Sequence, residues 1–187
     1  MRFVRTACLL MALSSMAGSS LAWSVTELQH LLLAQPKRAI PFEEVRESPW
    51  LVTPRISRGT LHTSARGLEK RTIEPRSETW RLLDDRLEWS SSDGQPVRRV
   101  LYADAPAIAA LAIALRRTVM GELKALQGDF HIEVEGNASL WNARLRPRHP
   151  DVARSLDLIE LQGSQSRLQV IIVHERSGER STIRLQY

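Results

Sequence analysis

Cysteine is nearly absent from this sequence: one of 187 residues, Cys8, and it lies in the N-terminal stretch. Nothing downstream can form a disulfide framework, a thiol nucleophile or a thiolate metal site. Long apolar runs are missing except for one at the very N-terminus, which excludes a multi-pass membrane protein. No Gly-x-Ser-x-Gly elbow, His-Glu-x-x-His pair or phosphate-cradling glycine loop is found. The expectation is therefore a protein that is not an enzyme and uses no cofactor and no metal. A block of positive charge interleaved with aromatics is also lacking, because basic residues are scattered as singles and pairs such as Lys70-Arg71, Arg98-Arg99 and Arg116-Arg117. Nucleic acid is not an expected partner.

What is present is an ordinary globular composition, with 43% apolar and 25% charged residues. The length suits one domain. Arg2 and Arg5, the apolar run Ala7 to Met16 and the small residues ending Ser20-Leu21-Ala22 form the three parts of a secretory signal peptide. Cleavage is expected after Ala22, leaving residues 23–187 as the mature domain. Its removal takes two arginines and no acid, so 24 basic side chains then face 21 acidic ones. An exported chain that carries no cysteine after cleavage, and is long enough to build its own core, fits the bacterial envelope.

Ser24 followed by Glu27 is a capping box, and Leu28, Leu31, Leu32 and Leu33 then recur at helical spacing up to Pro36. From Ile40 the period changes to two. Strands are predicted near 42–48, 56–63, 68–74, 78–83, 86–91 and 97–102, with Asp84-Asp85 and Ser92-Asp93-Gly94 as turns. Asp104 and Pro106 open a helix over 107–120, whose Ile108, Leu111, Ala112, Leu115 and Val119 fall at helical spacing; Gly121 ends it, and a short helix over 122–126 follows. Alternation resumes at Phe130-Ile132-Val134, Trp141-Ala143-Leu145, Leu156-Leu158, Leu168-Val170-Ile172 and Ile183-Leu185. Gly136-Asn137, Gly163-Ser164 and Ser177-Gly178 are read as their turns. The total is about eleven strands, too many for a flat open sheet, so the sheet must curl. Between Ala105 and Leu115 every residue except Pro106 is Ala, Ile or Leu, so the insertion helix is apolar on all sides and must be buried or cover something apolar.

Polar constellations in this pattern read as surface. His131, Glu133 and Glu135 alternate with Phe130, Ile132 and Val134 and form a solvent face rather than a metal site. His149-Pro150-Asp151 and Asn137-Ala138-Ser139 read as turns. Arg116 and Arg117 fit a solvated helix end, with lipid phosphate or an acidic partner face as the alternative. His62 and His174 are the only acid–base candidates with polar neighbours. The tryptophans share strand parity with apolar residues and are expected to point inward, either as plain core or as walls of a cavity under a helical lid.

Several short stretches, in order, resemble the LolA-type carriers, periplasmic proteins that ferry lipoproteins from the inner to the outer membrane of Gram-negative bacteria. Phe42-Glu43-Glu44 is similar to the family's Phe-x-Gln, Gly59-Thr60-Leu61 to its Gly-x-Leu, Asp84 through Trp89 to its Asp-Gly-x-x-Leu-Trp hairpin, and Leu145-Arg146-Pro147 to its Leu-x-Pro. Where other members read Arg-Pro-x-x-Phe, this chain has Glu74-Pro75-Arg76-Ser77-Glu78, and Leu68 through Arg76 looks closer to a divergent branch found with acyltransferases and lipid exporters. The resemblance implies an α+β, mostly β fold: an incomplete antiparallel β-barrel of eleven strands with helices as a lid over its concave face. It implies a periplasmic carrier that shields the acyl chains of a lipid or lipoprotein, loaded by an inner-membrane lipid exporter, with an outer-membrane acceptor as a further partner. The chain is expected to be a monomer, and a non-carrying envelope assembly module of the same fold is the alternative. Cavity and lid residues expected to meet acyl chains are Leu28, Leu32, Trp50, Trp80, Leu82, Trp89, Ile108, Leu111, Leu115, Val119, Trp141 and Leu145.

Overall fold

The computed structural model describes residues 23–35, 38–64 and 66–187; the expected signal peptide lies outside them. Helix α1 (Val25–Leu33) starts at the capping box read from the sequence: the Ser24 hydroxyl accepts from the Glu27 N–H at 3.2 Å, and the Ser24 N–H donates to the Glu27 carboxylate at 2.8 Å. Six strands follow, β1 (Ile40–Glu47), β2 (Arg55–Ser64), β3 (Gly67–Glu74), β4 (Glu78–Leu82), β5 (Arg86–Ser91) and β6 (Arg98–Leu101). Helix α2 (Pro106–Met120) has Pro106 at its first position and ends at Gly121 in the left-handed region, where φ is 80°. A Cβ at Gly121 would come within 3.0 Å of the Leu32 and Leu33 backbone, so glycine both ends α2 and lets α1 pass close by. A 3-10 turn (Leu123–Leu126) leads to β7 (Phe130–Asn137) and β8 (Leu140–Pro147). The one-turn helix α3 (Pro150–Ala153) stands where the sequence reads as a plain turn, followed by β9 (Leu156–Ser164), β10 (Arg167–Glu175) and β11 (Arg180–Leu185).

The eleven strands form one antiparallel sheet in the order β6-β5-β4-β3-β2-β1-β11-β10-β9-β8-β7. Two meanders are thus joined through β1 and β11, and the edges β6 and β7 do not pair. The barrel stays open there, and α2 lies in the connection between the two edges. It packs across β3, β4 and β5 and against α3, while α1 packs on the 3-10 turn and β7.

Strand parity holds through most of the first meander, where β3 carries one irregularity at Ile73, but not throughout the second. Concave-face residues on β9 are Leu156, Ile159, Leu161 and Gly163, and opposite them on β10 stand Glu175, Val173, Ile171 and Leu168. The expected alternations Leu156-Leu158 and Leu168-Val170-Ile172 fail because each strand carries one irregularity, between His174 and Glu175 in the ladder and between Leu168 and Val170. An extra residue reverses which face the next side chain takes.

Candidate functional site

The concave face has two kinds of interior. Over β7–β9, the side chains of Leu28, Leu32, Leu123, Leu126, Trp141, Leu145 and Leu161 are all at most 2% exposed and form a continuous core. Trp141 lies so close over β9 that a Cβ at Gly163 would fall 2.2 Å from its ring; its indole N–H donates to the Gln165 carbonyl at 3.0 Å. Beneath α2 the packing is different. A hollow of about 490 Å³ is bounded by Trp80, Leu82 and Leu87 from the sheet, by Ala107, Ile108, Leu111, Ala112 and Leu115 from α2, and by Leu156 at the start of β9. A second lobe of about 210 Å³ continues it towards β10 and β11, where Ile159, Ile171, Val173 and Ile183 face Leu111, Ala114, Leu115 and Thr118. Both lobes share Arg46, Lys70, Trp80, Leu111, Leu115 and Glu175 in their walls.

The vacancy follows from the composition of α2. Ala109, Ala112 and Ala114 are the residues it buries, with Thr118 and Val119, and alanine reaches too short a distance to fill the concavity. Ile108, Leu111 and Leu115 form an i, i+3, i+7 stripe that remains half-buried or exposed. Leu111 and Leu115 pack partly against the core and leave the rest of their apolar surface to the hollow.

Charge on the floor of the hollow is the feature that sequence reasoning missed. Glu44 on β1 and Lys70 on β3 form an ion pair with side-chain exposures of 14% and 16%, and both line the smaller lobe. Glu44 also accepts from the Ser57 hydroxyl at 3.3 Å and from the Ser181 hydroxyl at 2.9 Å, while the Lys70 ammonium stands 5.2 Å from the Phe42 ring centre. Burial alone would raise the Glu44 carboxyl, but the Lys70 ammonium, aided by Ser181 and Arg46, outweighs it and holds Glu44 below the usual glutamate value. Next to them Arg46 donates to Glu179 at 2.8 Å and lies 3.4 Å from Glu175. Burial lifts the Glu175 carboxyl above its usual value although Arg46 opposes it. Glu44 follows Phe42 by two residues, so the strand period alone puts both on one face. The rule that carboxylates face water conceals this.

The residues expected to meet acyl chains divide into groups. Trp80, Leu82, Ile108, Leu111 and Leu115 line the hollow. Leu28, Leu32, Val119, Trp141 and Leu145 are buried in the packed core and line neither lobe. Trp89 stands beside Trp80 with ring centres 6.1 Å apart and donates its indole N–H to Glu78 at 3.0 Å, outside the lining. Trp50 does not point inward: it is 80% exposed in the β1–β2 loop beside Leu51 and the fully exposed Val52, because the chain leaves β1 before Pro49. Leu87, Ile159, Ile171, Val173 and Ile183 belong to the hollow as well. Arg116 is tied to Asp84 at the β4–β5 turn and Arg117 to the Ala125 carbonyl, so neither is a free solvated helix end. His174 is 2.6 Å from Glu160, and neither they nor His62 line the hollow. His131, Glu133 and Glu135 lie on the exposed face of β7, and no cluster of three metal-ligating side chains occurs among the described residues.

A sequence profile of the family described as outer membrane lipoprotein carrier protein LolA-like matches residues 17–186. No curated protein matches the chain by sequence. Among solved structures, a LolA superfamily protein from Nitrosomonas europaea is 13% identical, with a TM-score of 0.46 over 87% of this chain and 90% of that one. A domain from Vibrio parahaemolyticus, provisionally named an outer membrane lipoprotein-sorting protein, is 8% identical, with a TM-score of 0.45 over 87% and 89% of the two chains.

Proposed function

The chain belongs to the LolA-like family of outer membrane lipoprotein carrier proteins, and we propose that it is a periplasmic carrier that shields an acyl chain of a lipid or lipoprotein from water between the inner and outer membranes. The observation that carries this reading is the unfilled apolar hollow between Trp80, Leu82 and Leu87 on the sheet and Leu111 and Leu115 on α2. A dry cavity of ~150 Å³ accepts a benzene-sized guest, or ~25 Å³ per carbon. On that scale the larger lobe, of about 490 Å³, takes about 20 carbons, close to one long acyl chain.

Each methylene transferred from water contributes ~0.8 kcal/mol, so a sixteen-carbon chain represents roughly 12 kcal/mol. A bilayer supplies about the same, and a carrier must match it without exceeding it, or delivery stalls. An alanine-rich roof that leaves apolar surface in contact with space suits that balance. Loading then shifts α2 between closed and open arrangements, with an inner-membrane lipid exporter biasing the open one. No helix among the described residues is long and apolar enough to cross a membrane.

Protein purified from its own host should carry lipid visible by native mass spectrometry, and its N-terminus should be Trp23. A chain that stays empty there and binds no acyl ligand in vitro refutes the carrier role. Trp50, Leu51 and Val52, exposed together on one loop, favour a second reading, an envelope assembly module that binds through its outer surface. In that case the loop triple variant Trp50→Ser/Leu51→Ser/Val52→Ser loses function in the host while the hollow stays empty in the wild type.

A further inference from the structure

On its Trp80 side the hollow opens into a chamber of about 350 Å³ with different chemistry. Arg46, Lys70 and Trp80 belong to both spaces. The charged residues of this chamber are Arg46, Arg55, Lys70 and Arg76 against Glu44 and Glu78. Lys70 is balanced by Glu44, and Arg46 by Glu175 and Glu179. Glu78 is engaged by the Trp89 indole. Arg55 and Arg76 have no ion-pair partner within 4 Å among the described residues, although Arg76 lies near enough to help lower the Asp93 carboxyl.

Both arginines are exposed residues on the chamber's wall. Arg55 stands directly across the β1–β2 ladder from Arg46, and both line the chamber. Arg46 is already matched by Glu175 and Glu179, so an anion entering the chamber meets Arg55 and Arg76 as its unpaired donors. The chamber is also the polar continuation of a space sized for about one acyl chain, so chain and counter-charge sites lie end to end with Trp80 at the junction.

The geometry points to an amphiphile with one acyl chain in the hollow and an anionic head, a phosphate or carboxylate, held by Arg55 and Arg76 with Arg46 behind them. This assignment rests on the carrier reading and narrows its cargo class. A triacyl anchor exceeds the resting hollow even with both lobes counted, and a neutral head makes no use of the two guanidiniums.

The test is calorimetry, or Trp80-sensitive fluorescence, on the mature chain with four probes below their micelle concentrations: palmitoyl lysophosphatidic acid, palmitate, monopalmitoylglycerol and inorganic phosphate. The acidic amphiphiles should bind about tenfold more tightly than monopalmitoylglycerol. That preference should shrink with salt, and phosphate alone should bind far more weakly than either acidic amphiphile. In Arg55→Gln/Arg76→Gln the ratio of acidic to neutral affinity should fall below about twofold, and Arg55→Lys/Arg76→Lys should restore most of it. Equal affinity for all heads in the wild type, or an undiminished ratio in the glutamine variant, overturns the inference. So does phosphate binding as tightly as the acidic amphiphiles, since the chamber would then be an ion site independent of the hollow. If no amphiphile binds, the carrier reading fails with it. Monopalmitoylglycerol binding without head preference overturns only the anionic head.

Discussion

Over β7–β9 the concave face is plugged: α1 and the 3-10 turn press Leu28, Leu32, Leu123 and Leu126 onto Trp141, Leu145 and Leu161 until none is more than 2% exposed. Over β3–β5 the same sheet presents Trp80, Leu82 and Leu87 to α2, and a hollow remains. Both regions are apolar, and both are covered by helical segments. They differ in the covering side chains, which are leucines in one and a mixture of alanine with isoleucine and leucine in the other. Stability and capacity are therefore divided between the two ends of one sheet, since a core that fills its space has none left for a guest.

Large-to-small changes should separate the two regions most clearly. Leu28→Ala and Leu145→Ala should each cost about 3 kcal/mol in urea unfolding, while Leu111→Ala, which borders existing space, should cost less than about 1 kcal/mol. Equal costs would mean that the hollow is closed in solution.

The ion pair beneath the hollow comes next. Glu44→Gln or Lys70→Met alone should each cost about 2 kcal/mol, because the partner is left buried and unmatched, and the double variant should recover most of this loss. The Glu44 carboxyl is lowered by folding, so its contribution is complete above the usual glutamate value of about 4.3 and is lost as pH falls through the lower folded value. Acid unfolding should accordingly be shallower in the double variant. An unchanged acid profile would show that Glu44 ionises as an ordinary surface carboxylate.

Filling the vacancy should affect binding more than stability. Leu111→Trp should weaken palmitate binding about tenfold while changing unfolding free energy by less than about 1 kcal/mol. Retained affinity would place the acyl chain elsewhere.

The link between α2 and the sheet through Arg116 and Asp84 should have a smaller effect. Asp84→Asn should cost about 0.5 kcal/mol, since one partner is exposed, and should speed amide exchange in α2. Unchanged exchange would mean that the pair does not hold the roof. Least of all, Trp50→Ser should leave palmitate affinity within about twofold, because the ring lies in solvent and not in the hollow.

Legibility in the sequence follows the range of the forces involved. The capping box at Ser24 and Glu27, the stop at Gly121 and the alternations of β1–β6, apart from the irregularity at Ile73, are local and could be read directly. The bulges in β9 and β10 were not legible, because each falls in a run, Leu156-Asp157-Leu158 and Leu168-Gln169-Val170, that alternates apolar and polar as a regular strand does. Candidate site residues divide on the same ground. The stripe of Ile108, Leu111 and Leu115 is a helical period, and Trp80-Leu82 is a strand period. The separation of Trp141 and Leu145 from the hollow depends on what α1 places over them. Glu44 and Lys70 lie 26 residues apart, and nothing local signals that each is the other's counter-ion.

By itself, the sequence determined the order and type of the elements and an amphipathic pattern that must curl eleven strands around an apolar face. Those outcomes depend on backbone preferences and on periods of two and 3.6 residues, which act over a few positions. Only the tertiary structure decided that β1 pairs with β11, that one end of the concavity is filled while the other stays open, and that the open end borders a cationic chamber. Those outcomes depend on which side chains meet across distant strands, and volume and charge can be balanced only between residues that the fold has already brought together.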